Sequence, residues 1–211
     1  MNVASQLALA LPAVFFVVDP LGVVPLFIAM TANDTQDKAK AMALRACLTG
    51  ALLLIVFTLF GAFLFKLFGV TLPAFRVAGG LLLMLTALDM VRARPSSTRT
   101  SAAETREGAE KDDIAIVPLA IPLLAGPGSI ATVMVLMAKS DGGLGATVAV
   151  ISAVLITFFI AWLMLRAAHY VKRVLGQSGI AIIQRVFGLV LAAIAVQFIV
   201  DGGRELVKGL Q

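Results

Sequence analysis

The chain has one cysteine, one histidine, one tyrosine and one tryptophan in 211 residues. A single cysteine, Cys47, excludes an internal disulfide and reads as a small packing residue. With only His169 beside it, the usual zinc ligand sets cannot be built. There is no phosphate-binding glycine-rich loop and no Gly-x-Ser-x-Gly turn. No enzymatic role, resident metal, cofactor or ATP-driven pumping is therefore expected of this chain. Charge is also scarce, at 14% of residues, where a soluble domain carries about a quarter. What replaces it is apolar: 60% of residues are hydrophobic and mean hydropathy is +1.01. So much apolar surface calls for lipid as the solvent and excludes a soluble globular fold. The net charge of +5 is spread over the loops between apolar runs, where it meets lipid head groups; no basic domain exists, and nucleic acid is not an expected partner. The first apolar stretch lacks a basic region before it and runs past any plausible cleavage site, so no cleavable signal is expected.

Six apolar segments can be read: about 3–30, 44–68, 72–91, 114–138, 144–168 and 180–200. Two are interrupted. The first carries Asp19-Pro20-Leu21-Gly22-Val23-Val24-Pro25, and the fourth carries Pro122-Leu123-Leu124-Ala125-Gly126-Pro127-Gly128-Ser129. Residues 92–113 are rich in Ser, Thr, Ala, Glu and Arg without apolar periodicity, and read as a solvated cytoplasmic loop. The expected organisation is an all-α transmembrane domain: a three-helix repeat over 1–91, this loop, and a second three-helix repeat over 114–211.

The repeat rests on three landmarks in one order. Pro20 and Pro127 are 107 positions apart, as are Phe68-Gly69 and Leu175-Gly176; Arg76-Val77-Ala78-Gly79 and Arg185-Val186-Phe187-Gly188 are 109 apart. Each half has an odd number of spans, so the second must enter the membrane from the opposite side, as an inverted repeat. Lysine and arginine set the orientation. Lys38, Lys40, Arg45, Arg92, Arg94, Arg99, Arg106, Lys111, Arg166, Lys172 and Arg173 fall on one face, against Lys66, Lys139, Arg204 and Lys208 on the other. The richer face is expected in the cytoplasm and both termini outside, in a multi-pass protein of a bacterial inner membrane. The sequon Asn33-Asp34-Thr35 then falls on the cytoplasmic side and is discounted.

Proline removes a backbone donor, and glycine accepts angles that other residues avoid. In hydrocarbon the freed groups must find partners or face a water-filled cavity. Matching interruptions in the two halves are the best sequence pointer to a transporter's binding site. About 15 residues precede each break, which places both near mid-bilayer at about 1.5 Å per residue. Half-helices starting after Gly22 and after Gly128 would offer free amides to a carboxylate, and the carbonyl ends before them would suit an ammonium group. Gly22, Gly126, Gly128, Ser129 and Thr132 leave room for a compact ligand. Asp19 is the sharpest residue: a carboxylate at this depth costs several kcal/mol unless paired or hydrated. It either binds a substrate amine or a coupling proton, or caps the half-helix that follows it. Ser129 and Thr132 either donate to a ligand or bond back to their own helix. Arg76 and Arg185 either snorkel to head groups or close a gate. Asp89 and Asp201 sit near helix ends and read as interfacial. Trp162, His169 and Tyr170 read as interfacial anchors, and Gly79-Gly80 and Gly188 as sites of close helix packing.

With these motifs in hand, and Pro118-Leu119-Ala120-Ile121-Pro122 leading into the second, the chain resembles the MarC family of membrane proteins, which includes the SnatA-type neutral amino acid transporters. The resemblance covers nearly the whole chain, with departures mainly in the 92–113 loop. It implies a six-span secondary transporter of small neutral amino acids such as glycine and alanine, with H+ or Na+ as candidate coupling ion. By motif match it carries a substrate-site role to Asp19, Pro20, Gly22, Pro25, Gly126, Pro127, Gly128 and Ser129. A homo-oligomer is compatible with this reading. The rival readings are an exporter of drugs or other metabolites and a non-transporting membrane component.

Overall fold

The computed structural model describes residues 2–92, 113–139 and 143–208. Most of the loop expected over 92–113 lies outside the described residues. The fold is all-α: α1 (Val3–Val18), α2 (Pro20–Met30), α3 (Gln36–Phe68), α4 (Leu72–Val91), α5 (Pro127–Lys139), α6 (Leu144–Arg166) and α7 (Ala168–Lys208). A further segment, Ala115–Leu124, precedes α5. Among the described residues five stretches are long and apolar enough to cross a membrane, and Ala115–Leu124 with α5, bent by 55°, makes a sixth if the bent pair is one span. Large apolar side chains stand on the outside, Leu52 and Phe63 each at 63% exposure, as a lipid-facing surface requires.

Helix ends follow local chemistry. Asn2 caps α1 by accepting from the Ser5 amide at 2.9 Å, and Thr71 caps α4. The helix α3 begins eight residues before the apolar run expected at Leu44, so Lys38, Lys40 and Arg45 lie on its first turns, not in a loop. The physical reason is length: 33 residues rise about 50 Å, well beyond a hydrocarbon core of about 30 Å. Hydropathy marks only the immersed part. The connection expected between the fifth and sixth spans is likewise helical, since Lys172 and Arg173 lie inside α7.

Gly69, between α3 and α4, and Gly176, inside α7, both have φ 63°. That left-handed angle is open to glycine at little cost, and it breaks the two halves at positions 107 apart. Packing repeats as well. The pair α1 and α6 has its counterpart in Ala115–Leu124 and α3; α2 with α7 in α5 with α4; and α2 with α6 in α5 with α3. The third helices, α4 and α7, form the most extensive pair. They approach where side chains are missing: a Cβ on Gly80 would lie 2.9 Å from the Ala195 carbonyl oxygen, and one on Gly188 would lie 2.9 Å from the Val91 nitrogen. The larger core joins Val24, Met42, Leu54, Leu119, Leu124 and Val154. A smaller one joins Val17, Leu83, Val135, Leu191 and Phe198. Cys47 is buried in the first.

Candidate functional site at the two helix breaks

The first break is a single residue. Asp19 stands at φ 49°, ψ 60° between α1 and α2. Its amide donates to the Phe15 carbonyl at 3.0 Å, closing α1. Its Oδ1 accepts from the Gly22 amide at 3.1 Å, capping α2. One residue thus ends one helix and starts the next. The side chain explains its neighbour: a Cβ on Gly22 would lie 2.1 Å from Asp19 Oδ2, so the carboxylate occupies the space a larger residue 22 would need. Asp19 is 2% exposed. The new helix begins at Pro20, not after Gly22, because proline is pre-set for the first helical position and Asp19 supplies the cap. Pro25 lies inside α2 and is exposed.

The second break is wider. Val117 and Ile121 have extended angles inside Ala115–Leu124, and the bonds Val117–Pro118 and Ile121–Pro122 are cis. The segment turns through i→i+5 hydrogen bonds, Leu119 to the Ile114 carbonyl and Ala125 to the Ala120 carbonyl. It is therefore not the regular half-helix expected: the α region is disfavoured for a residue before proline, and here Val117 and Ile121 both leave it. An aligned array of carbonyls at its end does not form. Asp113 anchors its start, its Oδ2 accepting from Arg45 at 2.6 Å and its Oδ1 from the Ala115 amide at 3.0 Å. After Ala125 and Gly126, α5 starts at Pro127, not after Gly128. The first amide within the helix ladder is Ile130, donating to the Gly126 carbonyl at 3.1 Å, so the amides of Gly128 and Ser129 have no acceptor within the helix. Ser129 Oγ donates to the Leu124 carbonyl at 3.2 Å across the break, and Thr132 Oγ1 donates to the Gly128 carbonyl at 2.9 Å. Both hydroxyls bond to backbone.

The second break packs against the last turn of α1, just before the first break. A Cβ on Gly128 would lie 3.6 Å from Val17 Cγ1 and 2.9 Å from Leu83 Cδ2; Val17 is two residues before Asp19. Gly126, Pro127, Gly128 and Ser129 line a crevice with Val17, Leu82, Leu83 and Thr86. Of the expected site positions these four are gathered here; Asp19, Pro20, Gly22, Pro25 and Thr132 are not on its wall. The crevice holds about 20 Å³, room for one water. The open space expected around the small residues is thus closed in this state, by Leu83 and Val17. Sequence reading missed Leu82, Leu83 and Thr86, since no motif marks them. The repeat does not mark them either: at the 109-residue offset most of α4 differs from its partner, Leu83 and Thr86 against Ala192 and Ala195 among the rest, while Leu82 is matched by Leu191.

The two arginines differ. Arg76 is 4% exposed and donates through a terminal guanidinium nitrogen to Glu205 Oε1, tying α4 to the end of α7. Its Nε is buried with no hydrogen-bond partner among the described residues. Arg185 is exposed. Removing one partner of a buried pair costs several kcal/mol, while replacing both with apolar groups is often neutral. Glu205 keeps 44% side-chain exposure, so the cost is discounted for screening. Glu205→Met is expected to lower stability by about 1–3 kcal/mol, and Arg76→Met with Glu205→Met to restore most of it. Melting temperatures of the two single variants and the double variant check this; additive losses would show that the pair is not coupled.

A model of the MarC family of integral membrane proteins matches residues 4–207. The chain belongs to the MarC family. Its relatives span the same length. A UPF0056 membrane protein of Methanocaldococcus jannaschii is 41% identical over 93% of this chain and 95% of its own. One from Aquifex aeolicus is 38% identical over 91% and 89%, and the Escherichia coli membrane protein YhcE is 33% identical over 93% and 91%. No solved structure matches the chain. Membership in this family agrees with the resemblance carried by the two proline-glycine motifs, and makes the chain a multi-pass integral membrane protein.

Proposed function

We propose that this MarC-family chain is a secondary transporter of small neutral amino acids of the glycine and alanine class. It would work by alternating access around the paired breaks, coupled to H+ or Na+. It catalyses no covalent chemistry, and both termini face the periplasm of a bacterial inner membrane. The observation that carries the reading is the contact between the two interrupted segments: the start of α5 packs against Val17, two residues before the buried Asp19. A buried carboxyl group and helix-start amides that the helix ladder does not use, near mid-bilayer, are complementary to the ammonium and carboxylate of a zwitterion. Interruptions at repeat-related positions are what such transporters use.

A second reading, a non-transporting membrane component, draws on the one-water crevice and on hydroxyls already bonded to backbone. Reconstitution separates them. Purified protein in liposomes is expected to take up labelled glycine or alanine saturably, with a pH gradient or a sodium gradient driving accumulation according to the coupling ion. Absence of saturable uptake for every small amino acid, in either direction and under either gradient, rejects the transporter.

A further inference from the structure

We propose that Leu83 is the specificity-determining residue of this site, setting the largest side chain its ligand can carry; this rests on the transporter reading. Leu83 is fully buried, in the middle of α4, and its Cδ2 would lie 2.9 Å from a Cβ placed on Gly128. It therefore fills the space directly over the α5 start, where Gly126 to Ser129 form one wall. Val17 fills the other side, its Cγ1 being 3.6 Å from the same point. With both in place the crevice holds about 20 Å³, so a ligand at the Gly128 and Ser129 amides must share its volume with the Leu83 isobutyl group.

The repeat offers a comparison. The partner of Leu83 in the second half is Ala192, and that of Thr86 is Ala195. The corresponding junction there is α2 against α7, where the first two positions of α2 are sealed: Pro20 and Leu21 are buried, while Pro127 is exposed and Gly128 half-buried; at the third, Gly22 is half-buried and Ser129 buried. Packing alone is met by alanine on the sealed side. The side with the crevice instead carries a branched side chain and a hydroxyl, one turn apart on one face of α4. Thr86 donates to the Leu82 carbonyl at 3.1 Å, which fixes the wall's polar edge. What singles out Leu83 and Thr86 among the positions where α4 differs from its repeat partner is that both line the crevice.

The test titrates the purified full-length protein in detergent with glycine, alanine, valine and leucine, reading apparent Kd from the shift in melting temperature. Wild type is expected to bind glycine and alanine and to discriminate against leucine. In Leu83→Ala the ratio of leucine to alanine Kd is expected to fall about tenfold or more, the usual worth of a methylene in an apolar pocket. Leu83→Val, which keeps the core filled and decides the matter should alanine not fold, lowers the ratio by less. Leu85→Ala, on a half-exposed position of the same helix, leaves it unchanged. An unchanged ratio in the Leu83 variants with wild-type binding intact overturns the assignment and spares the transporter. Wild type that binds none of the four overturns both.

Discussion

Asparagine at position 19 is expected to leave the protein folded and to reduce amino acid uptake about tenfold or more. Asp19 does two separable things. Its Oδ1 caps α2 through the Gly22 amide, and its carboxyl group lies buried in a residue 2% exposed, two positions after the Val17 that packs against Gly128. Asparagine keeps the first function, since its carbonyl oxygen can accept the same hydrogen bond and its short polar side chain tolerates the left-handed angle. The stability change is then under about 1 kcal/mol. What asparagine loses is the ionisable carboxyl, and a carboxylate's hydrogen bond to a substrate ammonium would contribute about 1.5–3 kcal/mol, a factor of ten or more in binding. Asp19→Ala removes the cap as well, at about 0.5–2 kcal/mol, and leaves an aliphatic residue in the left-handed region at roughly 1–2 kcal/mol more. Melting temperature and liposome uptake on the same preparations distinguish the roles. Full uptake in Asp19→Asn, with only Asp19→Ala failing, would reduce Asp19 to a cap.

Gly188→Val is expected to prevent recovery of folded protein. A Cβ at this position would stand 2.9 Å from Met90 Cβ, 2.9 Å from the Val91 nitrogen and 3.0 Å from the Ala87 carbonyl oxygen. Two of these are backbone atoms of α4 and cannot rotate aside, so the helices must separate along their main interface. Overpacking of this kind costs about 1–3 kcal/mol and sometimes more, and valine brings two further methyl groups. Gly203 offers the control on the same helix, with nothing within 4 Å of its Cβ position. There alanine is expected to raise stability by about 0.5–1 kcal/mol through helix propensity. Monodisperse yield after detergent extraction and melting temperature measure both. Equal behaviour of Gly188→Val and Gly203→Ala would reject the close α4–α7 approach.

The spans and their interruptions are legible in the sequence because bilayers impose length and apolarity, and because proline and glycine act locally. Leu72–Val91 is delimited to the residue, since Thr71 and Pro73 mark its start and Arg92 its end. Water-exposed helix is not legible in the same way. Gln36 to Ala41 and His169 to Leu175 wind as helix although no hydrophobic signal requires it. The form of Ala115–Leu124 was hidden for another reason: two prolines four apart exclude a regular helix, but the path taken instead depends on anchors such as Asp113 and on packing against α3. Asp19 was legible as a residue of consequence from its depth alone. The wall made by Leu82, Leu83 and Thr86 was not, because a leucine in a membrane helix looks the same facing lipid or facing a ligand.

The halves of this protein are interleaved. Leading contacts of α1 and α2 are with α6 and α7, and Ala115–Leu124 and α5 lean on α3 and α4 in return. Neither repeat therefore owns a core that could hold its shape while the other shifts. Any displacement at one interruption is transmitted to its twin through shared neighbours, so the smallest piece of this molecule that can change state is the whole of it.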